Sequence, residues 1–348
     1  MEESSHKKHA TIAQVATAAK VSKTTVSRYL NGRYEFMSEE TKAEINRVIQ
    51  QLDYHPSNIA RSLKTRKSRV IGCIIADIAS PFSSVLMKGI NDVCIQNGYQ
   101  VLFSNTDNQP ERELNCIYRL LSEQVEGLII NSTGFNDDYL IDLHKKGIPI
   151  VLADRCLSTN RMIDTVTTEN YGPVYSCMQR LHANGFEKVA FFTQGNGRIS
   201  SRLARYKGFL DASQELFHED GKKNTFLVDT DDSSICSRSL RTFIGSNRGK
   251  RLAVFCVNGV CMLNVLRGMQ KENYLISREL GICGFDDWGW ASLIPPGITT
   301  ITQDSYKVGK LSAETLLDRI TGKGDAEAVL IELPNQLCIR GSTELGNI

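Results

Sequence analysis

The chain has 348 residues, of which 41% are hydrophobic and 23% charged, with a formal net charge of +2; these values are typical of a globular protein with two or three domains. No stretch approaches the ~18 consecutive apolar residues of a membrane span, and the start of the chain lacks the apolar core of a secretory signal, so we expect a cytoplasmic protein. P-loop, HExxH and GxSxG motifs are absent and the six histidines form no metal-ligand pattern, which argues against an enzyme, a bound metal or a cofactor.

Positive charge is concentrated at the start of the chain. Residues 1–69 contain 13 Lys and Arg against 7 Asp and Glu, a net charge of +6, whereas the rest of the chain carries −4. A small basic segment attached to a mildly acidic remainder indicates that the segment binds a polyanion.

The ten cysteines are scattered, with no CxxC pair. Several lie inside apolar runs, as Cys73 does in VIGCIIA and Cys256 in LAVFCV. In such places a free thiol behaves as a small buried hydrophobe. We therefore expect free thiols in a reducing compartment.

The first 56 residues have the periodicity of three short helices. Thr11, Ser22 and Ser38 each precede an amphipathic stretch and are the expected N-caps. The expected inward side chains are Ile12, Val15, Ala16, Ala19, Val26, Tyr29, Leu30, Ile45, Val48, Ile49 and Leu52. Three short helices joined by one tight turn predict a helix-turn-helix.

The exposed face of the second helix carries Lys23, Thr24, Ser27 and Arg28. In a helix-turn-helix, the first turns of the second helix lie in the DNA major groove and reach base edges. Amine, guanidinium and hydroxyl groups are suited to base edges and phosphates. The alternative is a solvated helix face, but the three-helix spacing and the charge of +6 favour DNA binding.

Residues 57–69, SNIARSLKTRKSR, are a second DNA-contacting candidate. Alone, this basic segment could be a linker. Ala60 and Leu63 would nonetheless give a short helix one apolar edge, flanked by basic side chains that can reach phosphates. A leucine can wedge between base steps from the minor groove and kink the duplex.

TIAQVATAAKVSKTTVSRYLNG and the later SEETKAEINRVIQQLDYHPSNIARSLK resemble the DNA-binding head and hinge of the LacI/GalR family of bacterial transcription regulators. The resemblance implies base reading by the second helix, intercalation by the hinge leucine, and homodimers on a near-palindromic operator. The DNA-contacting residues that it implies are Thr11, Ser22, Lys23, Thr24, Ser27, Arg28, Asn31, Ala60, Leu63 and Lys64.

Two residues of the head depart from the family pattern. Lys20 stands where the family usually has glycine in the turn, and Gln14 stands where it often has aspartate. Lys20 is therefore expected either to adopt a left-handed backbone conformation at some cost or to alter the turn slightly. Neither departure removes a base-reading position.

From residue 70 onward, short apolar runs alternate with helical stretches. The expected strands are 70–76, 99–105, 126–131, 148–153, 188–193, 224–229, 251–257 and 280–285, and the expected helices include 82–97, 111–123, 171–184, 202–215, 260–272 and 306–320. This alternation predicts an α/β fold with parallel sheets covered by helices on both faces. The two halves have parallel layouts, which predicts two similar lobes, with a ligand cleft at the carboxyl ends of their strands.

This layout resembles the periplasmic binding-protein architecture that the LacI/GalR family uses as its effector domain. The implied division is a helix-turn-helix DNA-binding domain at 9–56, a hinge at 57–69, a first lobe from 70–168 and 303–330, and a second lobe from 169–302 and 331–343. The chain is expected to cross between lobes near 167–170, 300–304 and 328–332. Leu86 and Cys94 are candidates either for the dimer contact or for the core.

Motif matches to the family place effector-binding residues at strand ends. DIASPF (77–82), RISSRLARYKGF (198–209), GFDD (284–287) and TTITQD (299–304) carry most of them. The full expected set is Phe82, Asn131, Arg155, Arg198, Ser201, Arg205, Asn258, Asp286 and Gln303. Alone, each could be a helix cap, a core residue or a surface residue. As a set, an aromatic platform with polar side chains suits a polyhydroxylated ligand.

The identity of the ligand is less constrained than its class. Gly259 stands where the family usually carries aspartate, so the ligand cannot be copied from another member. Arg155, Arg198 and Arg205 in the expected cleft favour a carboxylated sugar. The predicted function is a DNA-binding transcriptional regulator, by default a repressor, controlled by a sugar or sugar acid. The alternative is a transport-type sugar-binding protein without a regulatory role, which the body alone permits and the basic head disfavours.

Overall fold

The structure, a computed structural model, describes residues 10–55, 67–158, 162–195, 197–229, 232–276, 279–324 and 327–344. The chain divides into two units, Met1–Ser68 and Arg69–Ile348, which we call the head and the body. Ala60, Leu63 and Lys64 of the expected hinge lie outside the described residues, so their DNA contacts stay predictions. No helix within the described ranges is long and apolar enough to span a membrane.

The described part of the head contains three helices, α1 (Ile12–Ala18), α2 (Lys23–Leu30) and α3 (Glu39–Gln51). Their N-caps are the expected ones, because the side-chain oxygens of Thr11, Ser22 and Ser38 accept hydrogen bonds from backbone N–H groups three residues further on. The predicted starts of all three helices are therefore confirmed.

The two departures in the head both have a local structural role. Gln14 Oε1 accepts a hydrogen bond from the Thr11 backbone N–H at 2.7 Å, which completes a capping box with the Thr11 side chain. Lys20 lies in the turn between α1 and α2 with φ of 53°. The left-handed alternative for Lys20 is therefore confirmed, in a region that a residue with a Cβ adopts at a cost of roughly 1–2 kcal/mol.

The head has its own small core. The buried apolar residues of this core are Val15, Ala16, Ala19, Val26, Ile45, Val48 and Tyr54. Tyr29, Leu30 and Ile49 pack against it while partly exposed. This packing leaves the opposite side of α2 free to face a partner.

The first lobe of the body is built on a six-stranded sheet. Its strands are β1 (Val70–Ile75), β2 (Gln100–Asn105), β3 (Leu128–Ile130), β4 (Ile150–Ala153), β5 (Asp164–Thr168) and β11 (Leu330–Leu333). They lie in the order β11-β5-β4-β3-β1-β2 and all neighbours are parallel. The helices of this lobe are α4 (Pro81–Gln96), α5 (Pro110–Ser122), α6 (Asp137–Lys145) and α11 (Ser305–Thr321).

The second lobe repeats this plan. Its strands are β6 (Lys188–Thr193), β7 (Thr225–Leu227), β8 (Leu252–Cys256), β9 (Leu280–Phe285), β10 (Thr299–Thr302) and β12 (Gln336–Cys338). Their order is β12-β10-β9-β8-β6-β7, and β12 runs antiparallel to β10. The helices are α7 (Tyr171–Ala183), α8 (Ser200–Leu216), α9 (Ser233–Ser246) and α10 (Gly259–Glu272). The α/β fold with two largely parallel sheets is the one that the sequence predicts.

The chain passes between the lobes after Thr168, after Thr302 and after Leu333. The third passage differs from the expected one, near 328–332. Residues 331–333 pair in parallel with β5 in the first sheet, not with the second lobe to which we assigned 331–343. The physical reason is that β11 covers the edge of β5, which satisfies the backbone groups of both strands.

Two residues of the first lobe that were candidates for a subunit contact are instead core residues. Leu86 and Cys94 are almost completely buried among the apolar side chains of that lobe. All ten cysteines are free thiols. Burial raises the pKa of Cys94 to about 11 and that of Cys236 to about 12, as expected for thiols that serve as small apolar groups.

Two glycines allow α4 and α11 to cross at close range. A Cβ added to Gly309 would lie 2.1 Å from the carbonyl oxygen of Leu86, and one added to Gly89 would lie 2.2 Å from that of Tyr306. Both distances are far inside van der Waals contact. The glycines thus fix how closely α11, which directly follows the second passage, packs onto the first lobe.

Candidate functional site

The surface of α2 presents the expected DNA-binding side chains. Lys23, Thr24 and Arg28 are exposed, and Ser27 is half-buried beside them. Ser22, Thr11 and Asn31 are cap residues: Asn31 Nδ2 donates to the carbonyl oxygen of Ser27 at 2.6 Å and closes the end of α2. α2 therefore offers cationic and hydroxyl groups on its first turns, held by caps at both ends.

The body has a cleft between its two lobes, at the carboxyl ends of the strands. It is lined by Ala76, Asp77, Ser80, Phe82, Ser83, Asn108, Asn131, Asp154, Arg155, Gln194, Ile199, Ser201, Arg202, Arg205, Asn258, Val260, Asp286 and Gln303. The cavity volume is about 70 Å³, below the ~300–1,000 Å³ typical of small-molecule pockets. A sugar-sized ligand therefore requires the lobes to separate or side chains to turn.

Eight of the nine expected effector-binding residues line this cleft: Phe82, Asn131, Arg155, Ser201, Arg205, Asn258, Asp286 and Gln303. The ninth, Arg198, does not. Its guanidinium lies over the ring of Phe135, 5.2 Å from the ring centroid. Arg198 precedes α8 in a loop, and its side chain is directed to the rim of the cleft rather than into it.

A continuous hydrogen-bond network joins the cleft to two of the passages between lobes. Gln303 Nε2 donates to Asp286 Oδ1 at 2.7 Å, and its Oε1 accepts from Thr168 Oγ1 at 2.9 Å and from Arg205 Nη2 at 3.1 Å. Arg205 Nε donates to Asn170 Oδ1 at 2.7 Å. Thr168, Asn170 and Gln303 lie at these passages, so Arg205 and Asp286 share hydrogen bonds with the segments that join the two lobes.

The side chain of Arg205 is held in the cleft by several contacts. Its guanidinium lies 3.6 Å from the centroid of the Phe285 ring, and Nη1 donates to the carbonyl oxygen of Val257 at 2.8 Å. Burial lowers its pKa, and the carboxylates of Asp286 and Asp154 oppose that effect. This buried guanidinium, which its contacts hold in one position, is suited to bind hydroxyl or carboxylate oxygens.

Asp154 and Arg155 form a buried pair on the first-lobe side. Their closest charged atoms, Arg155 Nε and Asp154 Oδ2, are 3.8 Å apart, too far for a hydrogen bond. Burial raises the pKa of the Asp154 carboxyl and lowers that of Arg155. Arg155 Nη1 donates to the carbonyl oxygen of Ser132 at 2.8 Å, whereas its buried Nε has no hydrogen-bond partner among the described residues. The guanidinium of Arg155 thus keeps one buried N–H donor that is not satisfied by these contacts.

Arg202, which the sequence analysis missed, is a third guanidinium in the cleft. It donates to the carbonyl oxygen of Gly195 at 3.1 Å and to Gln194 Oε1 at 2.9 Å, and both of these acceptors are neutral. Burial, and then the nearby charges of Arg155 and Arg205, lower its pKa to about 10. An anion placed beside Arg202 would favour its charged form and so oppose this lowering of the pKa.

Other residues that line the cleft were also not predicted from the sequence. Asp77, Asn108 and Asp154 each follow a strand of the first sheet, and Gln194 follows β6. Asn108 and Asp154 have φ of 55° and 70°, a conformation in which asparagine and aspartate are enriched. Within the ranges that the structure describes, the buried Oδ1 of Asn108 has no hydrogen-bond partner. The position after a strand was the available signal for these residues.

Gly259 makes room for an aromatic ring. A Cβ on Gly259 would lie 2.7 Å from ring carbons of Trp288, so the indole occupies the space that a side chain would need. The backbone N–H of Gly259 donates to Asp286 Oδ2 at 3.0 Å. Trp288 therefore packs against the start of α10 at Gly259, and Asp286 receives a backbone donor there.

Two family models match the chain. Residues 11–57 match the model of bacterial regulatory proteins of the lacI family. Residues 178–343 match a periplasmic binding protein-like domain. The first match contains α1, α2 and α3, and the second contains most of the second lobe and α11.

Curated relatives match over nearly the full length. The HTH-type transcriptional regulator KdgR of Bacillus subtilis (strain 168) is 38% identical over 325 residues, 93% of this chain and 95% of the relative. The HTH-type transcriptional regulator PtxS of Pseudomonas aeruginosa is 35% identical over 334 residues, 96% of this chain and 95% of the relative.

Solved structures share the fold. The Lac repressor bound to ONPG in the repressed state has a TM-score of 0.81 at 22% identity, covering 96% of this chain and 100% of that one. The transcriptional regulator CelR in complex with cellobiose has a TM-score of 0.70 at 23% identity, covering 96% and 99%.

Proposed function

This chain belongs to the LacI family of bacterial regulatory proteins, and we propose that it is a cytoplasmic repressor that binds a near-palindromic operator as a homodimer and releases it on binding a carboxylated sugar. That the chain is a DNA-binding transcriptional regulator follows from its family, since the relatives that match over its full length are regulators. The transport-type alternative is not supported, because residues 11–57 match a DNA-binding regulatory family. An enzymatic activity is likewise not supported by these relatives.

The head supplies the reader of the operator in this proposal. Lys23, Thr24 and Arg28 lie exposed on α2, with Ser27 beside them, and the caps at both ends of α2 fix how that face is presented. Phosphate contacts from the basic side chains position the head, and contacts to base edges give the sequence preference.

The main observation in favour of a carboxylated effector is the environment of Arg202. Its guanidinium is held by two neutral acceptors, and its pKa is lowered to about 10 by burial and by the positive charges of Arg155 and Arg205. Arg155, whose buried Nε has no hydrogen-bond partner within the part of the chain that the structure describes, lines the same cleft. A carboxylate bound here would accept charge-assisted hydrogen bonds, worth roughly 1.5–3 kcal/mol each.

The rest of the cleft supports a polyhydroxylated body for that ligand. Phe82 supplies an apolar face, and Asn131, Asn258 and Asp286 supply donors and acceptors around it. Sugar hydroxyls are recognised by such combinations of one aromatic platform and several amide or carboxylate groups. Solved relatives that share this fold are in complex with cellobiose and ribose.

A thermal-shift screen of the full chain tests the effector class. We expect D-gluconate, D-glucuronate or D-galacturonate to raise the melting temperature, and their neutral counterparts D-glucose, D-galactose and sorbitol to raise it less. The physical reason is that a ligand that binds only the folded state stabilises it by about 2.7 kcal/mol at one hundred times its Kd.

Two variants on the same helix control this test. Arg202→Gln should remove most of the shift caused by the acid that stabilises the wild type. Lys207→Ala, an exposed position on α8 outside the cleft lining, should leave the shift unchanged. Stabilisation by neutral sugars equal to that by acids, or an undiminished shift in Arg202→Gln, would contradict a carboxylated effector.

The proposed mechanism is a linkage between cleft closure and DNA binding. The network from Asp286 and Arg205 through Gln303 to Thr168 supports it, because it ties ligand contacts to the strand ends at which the lobes pivot. A ligand shifts such an equilibrium only by its difference in affinity for the two states, typically about 1–3 kcal/mol.

A further inference from the structure

An aromatic side chain and a cation from opposite lobes meet at the rim of the cleft. Phe135, in the loop between β3 and α6 of the first lobe, is 51% exposed. The guanidinium of Arg198, from the second lobe, lies 5.2 Å from the centroid of its ring, within the distance at which a cation is attracted to a ring face. Neither belongs to the described residues that line the cleft.

The backbone is adapted to this contact. Gly134 has φ of 78°, and a Cβ on it would lie 2.3 Å from the carbonyl oxygen of Arg198. Any other residue would therefore combine a left-handed backbone with a clash against the opposite lobe. Glycine is what lets the two loops approach this closely.

A hydrogen bond between the lobes lies in the same region. The backbone N–H of Cys156, which follows β4 in the first lobe, donates to Ser200 Oγ at 2.8 Å. Ser200 is the first residue of α8, two positions after Arg198. The cation–π contact, the glycine approach and this hydrogen bond thus join the same two sets of loops.

The first-lobe side of the contact is firmly anchored. The buried carboxylate of Glu113 accepts hydrogen bonds from the backbone N–H and hydroxyl of Thr133, both at 2.8 Å, and from Asn136 Nδ2 at 2.6 Å. Phe135 lies between these two anchored residues. Because the residues on both sides of Phe135 are held by Glu113, a displacement of Phe135 moves this part of the first lobe with it.

We propose that Phe135 and Arg198, with Gly134, Cys156 and Ser200, form a rim latch that holds the lobes closed without touching the effector. The two side chains are positioning residues: they set the ratio of closed to open body and, through that ratio, the apparent affinity for any ligand that binds the closed form. The inference needs the two lobes and their contacts, and it does not depend on which effector the cleft takes.

The distance between the lobes in the full chain tests the latch without a ligand. Spin labels are attached through p-acetylphenylalanine at Lys145 on α6 and Gln214 on α8, both exposed, and their separation is measured by double electron–electron resonance. We expect a main closed population in the wild type. Arg198→Met and Phe135→Leu should each lower the ratio of closed to open molecules about two- to fivefold, as expected for an exposed cation–π pair.

Matched variants separate the latch from general effects of substitution. Lys207→Met removes a cation–π contact of 5.5 Å to Tyr171 inside the second lobe and should leave the distances unchanged. Arg198→Lys keeps a cation and should stay close to the wild type. The double variant Arg198→Met/Phe135→Leu should open no further than either single variant, because both changes remove one shared contact.

Two results for the side-chain variants would contradict the proposal. Wild-type distance distributions in both single variants, or an opening in the double variant equal to the combined effect of the two, would overturn the latch. Gly134→Ala provides an independent arm, since its Cβ would push against Arg198 and should open the lobes further than either side-chain variant. A failure of the sugar-acid screen would leave these distances as expected, so the two proposals fail separately.

Discussion

Lys20 holds a backbone conformation that glycine adopts at no steric cost. Its φ is 53° in the turn before α2, and its side chain is exposed. Lys20→Gly should therefore stabilise the head, by up to about 1 kcal/mol, because relief of the left-handed strain exceeds the added entropy of the unfolded chain. Slower hydrogen exchange at the buried Val48 amide in the full chain would report this gain.

Ala43 supplies the opposite control for Lys20. It is exposed in the middle of α3, where glycine costs about 1 kcal/mol relative to alanine. Ala43→Gly should therefore speed exchange in the head core. Faster exchange in Lys20→Gly as well would show that the turn gains from lysine in some way other than its backbone.

The lowered pKa of Arg202 gives ligand binding a specific pH dependence. Its pKa is about 10, so Arg202 is charged at neutral pH and loses its proton as the pH rises through that value. A sugar carboxylate stays anionic over the same range. The affinity for the acid should therefore be constant from about pH 6 to 9 and fall above about pH 10.

Titration calorimetry across this range checks the pH dependence, with circular dichroism confirming the fold at each pH. Lys207→Ala should show the same fall in affinity, whereas Arg202→Gln should bind weakly at every pH. A profile that stays flat in the wild type to pH 11 would argue that Arg202 does not meet the carboxylate.

Single residues of the cleft could be predicted where a motif fixes their direction, and not elsewhere. Asp286 and Gln303 follow buried strands, and alternation along a strand makes the position of the next side chain readable. Arg198 and Arg202 lie in one short stretch, but only Arg202 lies on α8 and lines the cleft. The expected helix at 202–215 already separated Arg202 from the loop residue Arg198, but the sequence does not say which guanidinium enters the cleft, so Arg198 was predicted in place of Arg202.

At the scale of elements, the crossing of α4 and α11 depends on two glycines. Gly309→Ala should destabilise the body by roughly 1–3 kcal/mol or more, because its Cβ would lie 2.1 Å from the backbone oxygen of Leu86 and the helices would have to move apart. Gly245→Ala is the matched control: it lies in α9 with open space around a Cβ and should be neutral or slightly stabilising.

Chemical denaturation of the full chain, followed at the transition of the body, compares these two variants. Equal stability of Gly309→Ala and Gly245→Ala would contradict the close crossing. Because α11 follows the passage at 303–304, the account also expects Gly309→Ala to change the spacing of the lobes, whereas Gly245→Ala should not.

Helices with a clear hydrophobic periodicity were the most predictable part of the fold. The caps at Thr11, Ser22 and Ser38 were confirmed because each is followed at once by an amphipathic stretch. Residues 331–333 of β11 were assigned to the wrong lobe, because the local sequence pattern does not show which sheet they join. Leu330–Leu333 reads as a short strand in either lobe, and only the pairing with β5 decides between them.

In the whole molecule, we infer that the head reads DNA grooves and that the cleft of the body shares hydrogen bonds with the passages between its two lobes. Eight predicted residues and the unpredicted Arg202 line that cleft. The connecting residues 57–66 carry the coupling only by resemblance to the family. The coupling itself therefore has to be measured on the intact chain, with DNA binding as the readout.

The most direct measurement is the affinity of the intact protein for an operator selected from a random duplex library, by fluorescence anisotropy at fixed salt. We expect the selection to enrich a near-palindromic site, which the protein binds roughly 10³-fold or more tightly than random duplex. We further expect that the sugar acid that raises the melting temperature weakens this binding about 5- to 150-fold. Equal affinity for every duplex, with or without that acid, would contradict a repressor whose operator binding is controlled by a sugar acid.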